Sequence, residues 1–246
     1  MRETALVEVL IPSESSSIVL ELHGPATKIV ERAPMEVLLR KWKEEIYFST
    51  PLEPSLFTGK PLGKVEAGNV YYWPPGKALC IFYGYSQIYT PGYHVGEAIG
   101  PLRFLDKLVD ETRGEAVAHE IDGKYRELAG RLAERGYKVA TPLLSGERVL
   151  ALHKTVGGRR LSLVLYFEDL GAYLESEPLF SYERSVETLR AMERARRLLS
   201  AASHVRLDLD EEGNVVLSAA TTVDEILEAV SEFEEYYPRV MSSVLG

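Results

Sequence analysis

The segment Trp73-Pro74-Pro75-Gly76-Lys77-Ala78 constrains this chain more than any other. Two prolines fix φ at successive positions and the glycine after them frees the backbone, so the chain must reverse here. Asn69-Val70-Tyr71-Tyr72-Trp73 enters the reversal and Ala78 to Tyr83 leaves it. Both flanks are aromatic and apolar and too short for a helix, which makes them an antiparallel pair. The same grammar governs the rest of the first half. Thr4 to Leu10 and Ser17 to Leu22 flank Pro12-Ser13-Glu14-Ser15-Ser16 as a second hairpin. Glu45-Ile46-Tyr47-Phe48-Ser49-Thr50-Pro51 is a strand stopped by proline, followed by a loop rich in proline and glycine. Val95 to Ile99 and Ala116 to Ile121 complete the strands, with a short helix over Pro101 to Val109. Ala26 to Trp42 carries helical spacing at Ile29, Val30, Val37, Leu38, Leu39 and Trp42, broken early by Pro34, and predicts two short helices or a turn followed by a helix.

The pattern changes near 116–123. Asp122 to Arg135 is an amphipathic helix closed by Gly136. Strands follow at Tyr137–Ala140, Arg148–His153 and Arg160–Tyr166, the last two joined through Gly157-Gly158. Ser185 to Ser200 is a helix, Val205–Leu209 and Val215–Ser218 form a hairpin, and Thr222 to Val240 is a final helix whose Thr222 and Glu225 spell a capping box. The expectation is a mainly β domain over 1–119 and an α+β domain over 120–246 with the order α-β-β-β-α-β-β-α.

Charge excludes some partners. The chain carries −9 formally, −3 of it through Glu115 and −6 after it. Neither half offers the basic face that nucleic acid or an anionic membrane requires. No apolar stretch is long enough to span a bilayer, and no basic segment with an apolar core opens the chain, so a cytoplasmic location is expected. Cys80, the only cysteine, lies in the apolar run Ala78–Phe82 and reads as a buried core thiol.

Two stretches, Trp42-Lys43-Glu44-Glu45-Ile46-Tyr47-Phe48-Ser49-Thr50-Pro51 and Gly68 through Gly84, resemble the small cyclophilin-like proteins of archaea and thermophilic bacteria. The Gly100-Pro101-Leu102 helix start agrees. The resemblance spans about 1–119 and implies a closed or nearly closed β-barrel with a helix at an open end. Cyclophilins proper use an arginine in a Phe-His-Arg segment to polarise the prolyl amide. The matching strand Glu45–Ser49 has neither arginine nor histidine. The isomerisation barrier is about 18–20 kcal/mol, and an apolar groove without a placed donor should lower it only weakly. The second half resembles type III secretion chaperones and YbjN-like proteins in element order and in the Leu207–Leu217 hairpin, which implies binding of a protein partner or dimerisation.

Tyr47, Trp73, Lys77, Phe82, Tyr83, Tyr93 and His94 are the candidates for lining a groove for a peptide, protein segment or small ligand. Core packing is the default account of the aromatics, and a solvated turn is the default account of Lys77. His94, in a loop expected to edge any groove, is the best-placed histidine for acid–base work. No catalytic constellation is assigned. His23, His119, His153 and His204 lie one per element without metal spacing, so neither a metal nor a cofactor is expected. The pairs Glu44-Glu45 and Asp110-Glu111, with Asp210-Glu211-Glu212 and Glu234-Glu235, read as solvated faces or turns. The reading is a ligand-binding module without conventional isomerase activity. Its alternative is a prolyl isomerase or another small-molecule enzyme using His94 and Lys77.

Overall fold

The structure is a computed structural model and describes residues 3–245. It divides into two compact units, Met1–Glu127 with Ala140–Arg148, and Leu128–Val139 with Val149–Gly246. The first unit therefore includes 120–127 and 140–148, which lie beyond the expected boundary at 119.

The first unit is a closed eight-stranded barrel. Its strands are β1 (Thr4–Ile11), β2 (Ser16–His23), β3 (Met35–Trp42), β4 (Glu45–Ser49), β5 (Asn69–Trp73), β6 (Ala78–Phe82), β7 (Tyr93–Ile99) and β8 (Thr112–Ala118). They follow the order β1-β2-β7-β5-β6-β4-β3-β8, and β8 returns to β1 with Val9 opposite Ala116. Alternate residues point inward: Val7, Val9 and Ile11 from β1, Ile18, Leu20 and Leu22 from β2, Ile46 and Phe48 from β4, Val70 and Tyr72 from β5. A 3-10 helix, Gly24–Arg32, adds Ala26 and Ile29 to the same core. Phe57, from the loop after β4, stacks on Tyr72 with centroids 3.8 Å apart, and the Tyr72 hydroxyl donates to the Leu52 carbonyl at 2.6 Å.

The helix expected over Ala26–Trp42 is corrected in its second half. The 3-10 helix ends before Pro34, and Met35–Trp42 is β3, paired with both β4 and β8. Leu38 is 40% exposed while Leu39 beside it is 1% exposed, the period of a strand. Closing the barrel requires this strand, and the pairing overrides the helical spacing of the leucines.

The segment 140–148 folds as a small hairpin, β10 (Leu143–Leu144) with β11 (Glu147–Arg148). Polar contacts hold it to β1, β2 and the chain after β8. Glu8, on the outer side of β1, accepts from Ser17 Oγ at 2.5 Å, from His119 Nδ1 at 3.0 Å and from the Arg148 guanidinium. The Arg148 guanidinium also donates to the Thr141 carbonyl at 2.8 Å, and Leu143 N–H donates to Ser17 Oγ at 2.7 Å.

The second unit begins within α1 (Arg126–Glu134) and contains a seven-stranded sheet. The sheet is made of β9 (Lys138–Ala140), β12 (Leu150–Val156), β13 (Arg159–Glu168), β14 (Gly171–Ser176), β15 (Phe180–Ser181), β16 (Arg206–Leu209) and β17 (Asn214–Thr221). Helices α2 (Val186–Leu198) and α3 (Ile226–Leu245) pack on each other, and α3 also packs on β12, β13 and β17. The α+β class is as expected, and the capping box at Thr222 and Glu225 forms. The order expected from sequence lacked β14 and β15, and β14 occupies the middle of the sheet between β13 and β17. Among the described residues, no helix is long and apolar enough to cross a membrane.

Candidate functional site

The outward residues of β4, β5 and β6 build the site. Tyr47, Tyr71, Trp73, Cys80 and Phe82 would face water on an uncovered barrel. Here Val65 and Ile88, from the loops before β5 and after β6, pack over them as a second small core. Beside this core a cleft of about 270 Å³ opens, lined by Trp42, Glu45, Tyr47, Trp73, Ile88 and Tyr89.

Trp73 is positioned by the turn that follows it. Its ring lies against Gly76, where a Cβ would come within 2.4 Å of the indole. Its indole N–H donates to Thr90 Oγ1 at 2.8 Å. Tyr47 meets it edge-on, centroids 6.4 Å apart at 77°. Lys43 Nζ lies 4.4 Å from the centroid of the Trp42 ring. Tyr89 forms an open rim, 81% exposed.

Glu45 stands apart chemically. It is 5% exposed, and burial pushes its carboxyl above the ordinary carboxylate range, opposed only by a hydrogen bond from the Cys80 thiol. Burial, reinforced by the charge of Glu45, drives the Cys80 thiol well above its usual value, so Cys80 is no ready nucleophile. The expectation that Glu44 and Glu45 lie on a solvated face or turn holds for Glu44, which sits in the turn between β3 and β4, and is corrected for Glu45. Glu44 accepts from the backbone N–H groups of Tyr85, at 2.6 Å, and Ser86, at 3.1 Å, and so anchors the loop beside the cleft, while Glu45 is buried.

Of the seven candidates, the cleft brings together Tyr47 and Trp73. Phe82 is wholly buried beneath, edge-on to Tyr71 at 5.7 Å. Lys77 holds a left-handed backbone at φ 46°, and its ammonium pairs with Glu53 at 2.8 Å. Tyr83 donates to the Lys43 carbonyl at 2.9 Å, and burial with the nearby Asp106 raises its phenol. Tyr93 stacks on Phe57 at 5.9 Å, against the barrel core. His94 lies between the rings of Tyr71, at 5.4 Å, and His23, at 5.3 Å. Neither Lys77 nor His94 lines the cleft. Trp42, Glu45, Ile88 and Tyr89 were not among the candidates. The alternation that puts Tyr47 outward puts Glu45 on the same side, and that was the available signal.

A second cluster resembles a catalytic relay: Thr141 Oγ1 lies 3.3 Å from His119 Nε2, and His119 Nδ1 lies 3.0 Å from Glu8. Its geometry is structural. Thr141 is 1% exposed, and its own backbone N–H donates to the same Nε2 at 3.2 Å, which leaves the Nδ1 proton to Glu8. Burial would raise the Glu8 carboxyl, but the hydrogen bonds from His119, Ser17 and Arg148 outweigh it and hold Glu8 below its usual range. Among the described residues, no group of three or more His, Cys, Asp or Glu side chains is placed to hold a metal ion.

Residues 7–118 match the cyclophilin-like family model. The matched region holds all eight barrel strands but for the first residues of β1. The cleft therefore lies within the cyclophilin-like part of the chain, and the match ends before the hairpin at 143–148. The solution structure of a hypothetical protein from Archaeoglobus fulgidus is similar at 21% identity, over 48% of this chain and 97% of its own, with a TM-score of 0.39. No curated protein matches the chain.

Proposed function

We propose that the barrel is a binding module that holds a small ligand or a peptide side chain in the outer cleft, without conventional prolyl isomerase activity. The observation that carries this reading is the cleft itself: three of its six lining residues are half-buried aromatics, Trp42, Tyr47 and Trp73, around the buried Glu45. Tryptophan and tyrosine suit surfaces that are apolar on one side and wet on the other, and ligand sites combine apolar walls with a few placed polar groups. No arginine lines the cleft to polarise a prolyl amide, and Lys77 is engaged by Glu53. The test is NMR on the full chain with Xaa-Pro peptides and a panel of small fragments. Saturable shifts of the Trp42 and Trp73 indole signals without faster cis–trans exchange support the reading. Faster exchange that is lost in Tyr47→Leu overturns it in favour of an enzyme.

For the second unit, the proposal is association with a second copy of the chain. Val186 and Leu189 are exposed on α2 beside Arg190 and Arg194, a cationic apolar strip on a chain of net charge −9. Light scattering on the full chain should find a dimer that Leu189→Glu dissociates. A monomer would remove the proposal.

A further inference from the structure

We propose that the cleft is selective for a ligand carrying an alkylammonium group, seated among the aromatic rings and against Glu45. The inference deepens the binding reading above and rests on it.

Three observations lead to it. First, four of the six lining residues are aromatic, Trp42, Tyr47, Trp73 and Tyr89, and aromatic faces attract cations through their quadrupoles, tryptophan most strongly. The protein already uses one of them in this way, since the Lys43 ammonium sits 4.4 Å from the Trp42 centroid. Second, Glu45 is a buried carboxylate whose only hydrogen-bond partner among the described residues is the Cys80 thiol. Buried carboxylates are ordinarily paired with a cation, and a ligand ammonium would supply the missing charge. Third, the cleft is poorly made for an anion. No Lys or Arg lines it, and the Trp73 indole N–H is committed to Thr90. A volume of about 270 Å³ accommodates a trimethylammonium head with a short stem.

The experiment compares choline with its uncharged carbon analogue 3,3-dimethylbutan-1-ol, read by the two indole N–H signals of the full chain. The two probes share size and shape, so the difference between them reports charge. Choline should bind about tenfold more tightly or better. Glu45→Gln, which is nearly isosteric, should weaken choline far more than the alcohol and shrink that preference to what the rings alone supply. Equal or tighter binding of the alcohol to the native chain overturns the ammonium inference and leaves the binding module standing. If choline keeps its full advantage in Glu45→Gln, the role given to Glu45 is overturned. If neither probe moves either indole signal, both the inference and the cleft reading fail. The comparison of the two probes on the native chain needs no variant, so it decides even if Glu45→Gln does not fold.

Discussion

Glu8 and His119 are 111 residues apart in sequence and 3.0 Å apart in the fold. One lies at the start of the barrel and the other just past its last strand, and both side chains are almost fully buried. The Arg148 guanidinium completes the group, so a charge-assisted network ties the 143–148 hairpin to the barrel wall.

Removing Glu8 should therefore be expensive. Glu8→Ala strips the partner from His119, Ser17 and Arg148 together and should cost about 3–5 kcal/mol, as for other broken buried pairs. Urea unfolding measures the loss, and amide exchange at Leu143 should quicken more than exchange at the barrel strands. Because Glu8 is held below its usual range, its contribution is complete above the ordinary carboxylate pKa of 4.5 and is lost as pH falls through the lower folded value.

His153 sets a second pH dependence, in the second unit. Burial first, then the charges of Arg160 and Lys138, lower its pKa from 6.5 to about 2. The unfolded chain binds a proton between these values that the folded chain refuses, so stability falls as pH drops below 6.5, by about 1.4 kcal/mol per unit. His153→Gln should flatten this slope in chemical denaturation series at successive pH values. An unchanged slope would show that His153 is not its source.

Glu45 works in the opposite sense. The folded chain keeps the Glu45 proton to a higher pH than the unfolded chain does, so stability declines as pH rises from 4.5 through the folded value. Glu45→Gln should raise Tm at neutral pH and lose that advantage in acid. Thermal melts of both proteins across this range test it.

Gly76→Ala should disturb the cleft more than the barrel. The added methyl meets the Trp73 ring at 2.4 Å, and the indole must move. A stability loss of about 1–3 kcal/mol is expected, with a red-shifted tryptophan emission. Choline binding should weaken in step.

The barrel was legible where punctuation and period agreed. Pro12 to Ser16 and Pro74 to Lys77 marked two of its turns, and the strands they join lie as the sequence suggests. β3 was not, because Val37, Leu38, Leu39 and Trp42 fit a helical face as well as a strand, and only pairing to β4 and β8 decides. β14 was hidden because Ala172 and Ser176 fill two of its three buried positions, where β-branched residues would advertise a strand. The return of 140–148 to the barrel rests on a polar network that has no sequence period. At the site, aromatic excess pointed to Tyr47 and Trp73. It could not show that Val65 and Ile88 would roof the outer face, or that Glu45 on the same face would be buried.

The return of β8 to β1 has a consequence for recognition. A closed barrel has no free strand edge, so an extended peptide cannot dock on it by adding a strand. Whatever the first unit recognises, it must read through side chains: ring faces, one carboxylate and the shape between them. Selectivity is then open to change by single substitutions at the cleft, while the hydrogen-bonded frame beneath stays as it is.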